Sequence, residues 1–143
     1  MIEWTPALAV GIDEIDEQHR ELFRRADRFL SSLSTPSRQE IGILLSYLRL
    51  YAVAHFGAEE DWMREVGYSG YKRHKAEHDR FTKDLLEMSD EHEKKGTVGL
   101  PAERMSVWLK SWLEDHVSRT DADLAKFVLA RGEQRRPMPI AAR

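Results

Sequence analysis

Two pairs of polar residues at helical spacing lie on either side of a short glycine-containing break. His55 and Glu59 form the first pair, and His74 and His78 form the second. Residues four positions apart lie on one face of an α-helix, about 6 Å from each other, so each pair can hold one metal ion or two adjacent ones. The break at residues 67–70 predicts a turn that folds the second pair back towards the first. The pattern therefore predicts two neighbouring helices with four potential metal ligands between them.

The apolar residues follow helical periodicity in four long segments, with no alternating strand pattern. Residues 1–12 are expected to form a non-helical arm. Asp13 or Asp16 can cap the first helix, and Thr35 followed by Pro36 fits the start of the second. Four amphipathic helices with short connections are typical of an all-α, up-down-up-down antiparallel four-helix bundle.

Composition excludes several classes of protein. The chain has no cysteine, which rules out disulfides, thiolate ligation and iron–sulfur clusters. A net charge of −3 gives no reason to expect a nucleic-acid partner. We expect a cytoplasmic protein without membrane insertion, because we find no apolar run of about 18 residues and no secretory signal. Residues 1–132 are expected to form one domain, and residues 133–143 a disordered tail.

Seven polar residues occupy the inward-facing stripes, at positions where a plain bundle would carry leucine. They are His19, His55, Glu59, His74, His78, His116 and Asp121. In an antiparallel bundle all seven fall at one end, in a layer on the order of 10 Å deep. Burying them without partners would cost several kcal/mol, so a shared metal site is predicted. Because His116 and Asp121 are five residues apart, about 140° round an α-helix, we expect them to approach the site from two sides.

The inventory of five imidazoles and two carboxylates constrains the metal. It is too large for one tetrahedral zinc ion and too rich in nitrogen for calcium or magnesium. Two six-coordinate metals need about twelve ligand positions, and these side chains with one bridging oxygen atom supply about eleven. One open position on a pair of redox metals suits the binding of a small diatomic gas.

The same residues resemble the hemerythrin family, and in particular the single-domain bacteriohemerythrins. The matching motifs are Asp16-x-x-His19, His55-Phe56-x-x-Glu59-Glu60, Tyr71-x-x-His74-x-x-x-His78 and Trp112-Leu113-x-x-His116-x-x-x-x-Asp121. The resemblance implies a hemerythrin-like bundle holding two iron ions (Fe²⁺/Fe³⁺) with a bridging oxo or hydroxo group. By resemblance, Glu59 and Asp121 bridge the irons, and one iron is held by His74, His78 and His116. His19 and His55 hold the other, which carries the vacancy.

The resemblance further implies reversible dioxygen binding for storage, transport or delivery, by a protein that is not an enzyme. Two alternatives stay open: a di-iron enzyme that reduces peroxide or nitric oxide, and a module that senses dioxygen, redox state or iron. We expect a monomer, with dioxygen as ligand and a protein as a possible recipient of the oxygen. The apolar wall of the oxygen pocket is predicted from side chains that flank the ligands, namely Leu22, Phe56, Trp112, Leu113 and Val117.

Three other polar residues are predicted to lie outside the site. Glu60 and Glu77 adjoin predicted ligands in sequence but point off the inward stripe, so we interpret them as surface charges; the alternative is that they hydrogen-bond to metal ligands and orient them. His92 continues the stripe of the third helix, yet it lies roughly 21 Å along the axis from His78. We interpret His92 as a structural or solvated residue.

Overall fold

Four helical rods preceded by an N-terminal arm make up the fold. The computed structural model describes residues 3–31, 37–99 and 102–130, and no strand occurs within these ranges. Rod 1 is α1 (Asp13–Ser31), and rod 3 is α4 (Tyr71–Gly99). Rod 2 comprises α2 (Arg38–Tyr51), a first π-helical segment (Ala52–Phe56) and α3 (Gly57–Glu65). Rod 4 comprises α5 (Ala102–Trp112), a second π-helical segment (Leu113–Asp121) and α6 (Ala122–Ala130). The predicted all-α, up-down-up-down bundle is confirmed. The predicted tail, residues 133–143, lies outside the described residues.

The ends of the rods follow local sequence signals. Rod 2 begins after Ser37, whose hydroxyl accepts the backbone N–H of Glu40 while the Glu40 carboxylate accepts that of Ser37. This reciprocal capping box satisfies two otherwise unpaired donors of the first turn. The sequence predicted that the helix starts at Thr35 and Pro36, and this start was wrong, because α2 begins at Arg38. Thr35 itself lies outside the described residues.

Two glycines with positive φ mark the ends of rods 2 and 3. Gly67 has a φ of +67° in the turn that follows rod 2, where the sequence predicts a break. Gly96 has a φ of +59° and interrupts α4 shortly before its last residue, Gly99. Residues other than glycine rarely adopt this backbone conformation, so each glycine allows the chain to leave its helix.

The N-terminal arm packs against the bundle instead of continuing into rod 1. It contains a single turn of 3₁₀-helix (Pro6–Leu8) and buries Val10 close to the start of α1. The carboxylate of Asp16 accepts the backbone N–H of Val10 at 2.8 Å and that of Gly11 at 3.3 Å. Of the two predicted caps, Asp13 and Asp16, the structure places Asp16 inside the first turn of α1, which begins at Asp13, and its carboxylate accepts N–H groups of the arm.

The apolar interior is divided into two clusters. The first cluster draws on all four rods and includes Leu22, Phe23, Leu45, Leu48, Phe56, Phe81, Leu85, Leu109, Leu113 and Val117. The second cluster joins the arm to the ends of rods 1, 2 and 4 and includes Val10, Ile12, Ile15, Ala58, Trp62, Met63, Leu124, Ala125 and Val128. What lies between the two clusters is polar, and it is described below.

Rod 2 is the one helix among the described residues that is both long and apolar enough to resemble a membrane span. It spans Arg38–Glu65, 28 residues whose most apolar window has a mean hydropathy of 1.4, enough by length and composition alone to cross a membrane. The core helix of a soluble protein passes the same test. Rod 2 also carries two buried polar residues, His55 and Glu59, which belong to the layer between the clusters. Rod 2 is thus an apolar helix that packs inside the four-helix bundle.

Candidate metal centre

Seven polar side chains form a buried layer between the two apolar clusters, and none is more than 2% exposed. They are the seven candidates His19, His55, Glu59, His74, His78, His116 and Asp121. On rod 1, His19 lies between Ile15 of the second cluster and Leu22 of the first. Asp121 holds the corresponding position on rod 4. We call this set the polar layer.

Within the polar layer, Glu59 presents its two oxygens to different histidines. Its Oε1 lies 2.6 Å from Nε2 of His74 and 3.1 Å from Nε2 of His78. Its Oε2 lies 3.4 Å from Nε2 of His55, one turn earlier on rod 2. One carboxylate group thus faces two separate groups of imidazoles.

Asp121 repeats this arrangement from rod 4. Its Oδ1 lies 3.1 Å from Nε2 of His74 and 3.1 Å from Nε2 of His116. Its Oδ2 lies 3.0 Å from Nε2 of His19 on rod 1. The two carboxylates therefore lie between the same two groups of histidines.

We call these groups the three-histidine set (His74, His78 and His116) and the two-histidine set (His19 and His55). The three-histidine set and both carboxylates each offer one ligand atom, and these five atoms lie within 4.8 Å of one another. The two-histidine set falls outside that compact group and faces the other oxygen of each carboxylate. The polar layer thus has two sides, joined by the carboxylates.

Most of the potential metal-ligand atoms of the layer lack ordinary hydrogen bonds. Among the described residues, the buried side-chain atoms without a hydrogen-bond partner include Nε2 of His19, His74, His78 and His116, both oxygens of Glu59 and Oδ1 of Asp121. Leaving one such group unsatisfied costs about 1–3 kcal/mol. Cations held between these atoms would remove that cost, and a set of imidazoles and carboxylates suits first-row transition metals such as iron. The residues therefore fit a metal centre.

Two carboxylates that the sequence interpretation placed on the surface are bonded to the three-histidine set. Glu60 Oε2 lies 2.9 Å from Nδ1 of His78, and Glu77 Oε1 lies 2.9 Å from Nδ1 of His116. The hydroxyl of Thr120 donates to both oxygens of Glu77, at 2.8 and 3.0 Å. The interpretation of Glu60 and Glu77 as surface charges was wrong, because their side chains reach sideways to an imidazole on the next rod.

His92, the remaining histidine, is buried against Gly42 and lies outside the polar layer. It also lines a surface cleft with Arg38 and Gln39, residues of the first turn of α2. This agrees with the interpretation of His92 as a structural residue.

Aromatic rings lie face-on against three of the imidazoles. Phe56 stacks on His78 with ring centroids 3.9 Å apart, and Trp112 stacks on His116 at 4.0 Å. Tyr51, which the sequence analysis did not single out, stacks on His55 at 4.7 Å. Such contacts fix the orientation of each imidazole ring.

The five side chains predicted to wall an oxygen pocket all belong to the first cluster or pack against it. Leu22, Phe56, Leu113 and Val117 are buried within it, and Trp112 is half-buried beside it. Phe56 and Trp112 touch the three-histidine set, the side opposite the predicted vacancy. Their role as a pocket wall stays a prediction.

His116 and Asp121 approach from the same face, contrary to the expectation based on an α-helix. Both lie in the second π-helical segment, and the Nε2 of His116 is 3.1 Å from Asp121 Oδ1. A π-helix closes its turn between residues five apart, so it brings i and i+5 together. The expected approach from two sides was wrong because it assumed an α-helical turn.

The charges within the polar layer are strongly coupled. Burial raises the pKa of Glu59 and of Asp121, but contacts with the surrounding imidazoles outweigh burial and hold both pKa values well below their usual range. Burial lowers the pKa of His74, yet Asp121 and Glu59 raise that pKa to about 10 overall. The pKa of His116 is likewise raised to about 9, chiefly by Asp121. Without metal, protons on these imidazoles balance the two carboxylates at neutral pH, and a bound cation would displace them.

Comparison with known proteins gives consistent similarities. The family model described as "Hemerythrin HHE cation binding domain" matches residues 10–128. A bacteriohemerythrin of Methylococcus capsulatus is 29% identical over 123 residues, which are 85% of this chain and 92% of that protein. A hemerythrin-like protein of Naegleria gruberi is 31% identical over 118 residues, 82% of this chain and 86% of its own length. The crystal structure of wild-type hemerythrin superimposes with a TM-score of 0.78 at 26% identity, covering 87% of this chain and 95% of that one.

Proposed function

Because this chain belongs to the hemerythrin family, we propose that it binds dioxygen reversibly at a non-heme di-iron centre. Its role would be storage, transport or delivery of dioxygen and not turnover. One observation carries the proposal: Glu59 and Asp121 each turn one oxygen to the three-histidine set and the other to the two-histidine set. Carboxylates placed in this way are suited to bridging two metal ions.

We propose that the polar layer provides the metal ligands. The three-histidine set would hold one iron and the two-histidine set the other. Glu59, Asp121 and an oxo or hydroxo group would lie between them. With one histidine fewer, the second iron would keep a coordination position open. A bound pair of irons would supply that open position and the electrons that dioxygen takes up on binding.

The surrounding residues serve a carrier by keeping water and protons away from the layer. The first cluster packs against the layer from one end of the bundle and the second cluster from the other end. Apolar side chains therefore cover the layer both above and below. Leu22, Leu113 and Val117 of the first cluster are at most 1% exposed. We propose that these three residues crowd the oxygen pocket and slow irreversible oxidation of the irons, while Phe56 and Trp112 stack on imidazoles of the three-histidine set.

The test is to load the protein with two equivalents of Fe²⁺ without oxygen, add dioxygen and follow the absorption spectrum. A carrier gives a stable charge-transfer band that disappears when the oxygen pressure is lowered and returns when it is restored. Rapid decay to the diferric form, with consumption of added peroxide or nitric oxide, would instead indicate an enzyme. A preparation that binds only one iron per chain, or whose spectrum ignores oxygen, would exclude the proposed function.

His74 offers the sharpest test of the assigned ligands, because its Nε2 is the only one close to both carboxylates. His74→Ala should abolish the binding of two irons per chain, as measured by metal analysis after desalting. His92→Ala is the matched control: it removes a buried imidazole outside the polar layer and should leave the iron content at two. A His74→Ala protein that keeps two irons and an unchanged spectrum would refute the assignment.

A further inference from the structure

The two sides of the polar layer differ in what holds the outer nitrogen of each imidazole. In the three-histidine set, the Nδ1 of His78 meets Glu60 and that of His116 meets Glu77, both at 2.9 Å. Each carboxylate lies on the rod before its histidine: Glu60 on rod 2 reaches rod 3, and Glu77 on rod 3 reaches rod 4. Two of the three imidazoles are thereby anchored from a neighbouring rod.

The two-histidine set has no such support. The Nδ1 atoms of His19 and His55 are both buried without a hydrogen-bond partner among the described residues. Tyr51 stacks on the ring of His55 but offers that nitrogen no acceptor. Neither imidazole of this set is therefore paired with a carboxylate through its outer nitrogen.

This difference has a direct chemical consequence for metal binding. An imidazole that donates its Nδ1–H to a carboxylate keeps Nε2 free as the ligand, has a fixed ring orientation and is a stronger electron donor. Loss of such a partner typically costs about 10–100-fold in metal affinity. The three-histidine set has two of these pairs as well as one nitrogen more than the other set.

Resting on the function proposed above, we propose that the two metal subsites of this chain fill in order, the three-histidine set first, and that Glu60 and Glu77 are positioning residues that establish this order. The subsite that keeps the open coordination position is then also the one that exchanges its metal more readily. A chain with a single metal ion holds it between His74, His78 and His116.

The experiment titrates metal-free protein with Co²⁺, which binds the same kinds of ligand without reacting with oxygen, and follows heat and visible absorption. The wild-type chain should bind two ions in two resolved steps, the first about tenfold or more tighter than the second. Glu60→Ala and Glu77→Ala should each weaken metal binding at the three-histidine set by about 10–100-fold and leave the affinity of the two-histidine set nearly unchanged, so that the two steps merge or exchange their order. The corresponding Gln variants, which keep an acceptor oxygen, should recover part of the loss.

Glu114→Ala serves as the matched control, since it removes an exposed carboxylate from rod 4 that contacts Lys110 and no imidazole of the layer. It should leave both steps unchanged. Two equal steps in the wild-type chain, or variants that weaken both steps alike, would overturn the inference while leaving two metals bound. Binding of one Co²⁺ or none by the wild-type chain would instead contradict the proposed function.

A measurement on the wild-type chain keeps the inference testable if a variant fails to fold. With one equivalent of Co²⁺, proton NMR should show three strongly shifted, exchangeable imidazole N–H signals, one for each member of the three-histidine set. Two further signals should appear with the second equivalent. Two signals at one equivalent would place the first metal in the two-histidine set and overturn the proposed order.

Discussion

At the scale of single residues, Asp16 shows how a buried carboxylate can serve the fold without belonging to the site. It lies one turn before His19 on rod 1, but its oxygens accept N–H groups of Val10 and Gly11 in the arm. Hydrogen bonds to a charged acceptor are worth about 1.5–3 kcal/mol each, and a donor left unsatisfied in the interior costs a similar amount. Asp16 is thus the residue that holds the arm against the second cluster.

Replacing Asp16 with Ala should lower the free energy of unfolding by roughly 2–4 kcal/mol, because two backbone donors lose their acceptor. Urea unfolding followed by circular dichroism measures this change. Glu17→Ala is the control: its carboxylate is exposed and pairs only with Arg20, so its loss should cost less than about 1 kcal/mol. Equal effects of the two substitutions would show that the arm is not held by Asp16.

Leu113 is expected to contribute both to the stability of the fold and to the wall of the oxygen pocket, and the two contributions can be measured separately. It is 1% exposed in the first cluster, so Leu113→Ala should lower the free energy of unfolding by roughly 2–5 kcal/mol. The space created beside the layer should also speed autoxidation of the oxygenated protein, measured as decay of its absorption band. Leu109→Ala, one turn further from the layer in the same cluster, should cost similar stability without the faster decay. An unaltered decay rate in Leu113→Ala would remove Leu113 from the pocket wall.

At the scale of elements, the wide turns of rod 4 explain a spacing that an α-helix cannot accommodate. Buried residues recur every four positions from the start of rod 4 to its last third, at Met105, Leu109, Leu113, Val117, Asp121 and Ala125. In an α-helix each four-residue step turns about 40° too far, and five such steps would carry the last residue about 200° away from the core. The second π-helical segment absorbs this excess, so α6 faces the second cluster.

Inserting one alanine after Ser118 should therefore disrupt both the metal centre and the second cluster. His116 and Asp121 would become six residues apart, a spacing that neither an α-turn nor a π-turn brings to one face. We expect loss of the second metal and a lower melting temperature, measured by metal analysis and calorimetry. The length-preserving control Ser118→Ala should retain two metals. Binding of two metals by the insertion variant would show that the spacing between His116 and Asp121 does not matter for the metal centre.

The sequence allowed the convergence of the polar layer to be predicted, but not the details that hold it. His19 and the two helical pairs, on rods 2 and 3, lie in the apolar stripes of their helices. The up-down topology brings these positions to one level of the bundle. Glu60 and Glu77 gave no comparable signal, because a carboxylate beside a ligand in sequence normally faces solvent. The π-turn containing His116 was missed because an α-helical period was assumed, although the repeated four-residue spacing of rod 4 was visible.

At the scale of the whole molecule, every rod contributes to the polar layer, so its charge balance affects the entire bundle. Without metal, the low pKa values of Glu59 and Asp121 stabilise the fold above their unfolded values of 4.5 and 3.8, and this contribution is lost on acidification. The raised pKa values of His74 and His116 stabilise the fold below 6.5. That contribution is lost as the pH rises through about 9 and about 10.

The metal-free protein should therefore be most stable between about pH 5 and 6.5 and become less stable towards pH 10. Urea unfolding at pH 6 and at pH 10 measures the difference. The metal-loaded protein should lack this alkaline decline, because its histidines are already neutral ligands. A metal-free protein that is equally stable at both pH values would show that the imidazoles of the layer do not carry the charge assigned to them.

The division of the interior into two apolar clusters has a consequence for how the molecule comes apart. In most bundles one continuous apolar core links the two ends of the molecule. Here the polar layer interrupts the apolar core. Coordination bonds to a shared ion would strengthen the coupling of the two halves across that interruption. We therefore expect unfolding to be more cooperative with metal bound, and chelation should let one end of the bundle loosen before the other, measured by calorimetry with and without metal.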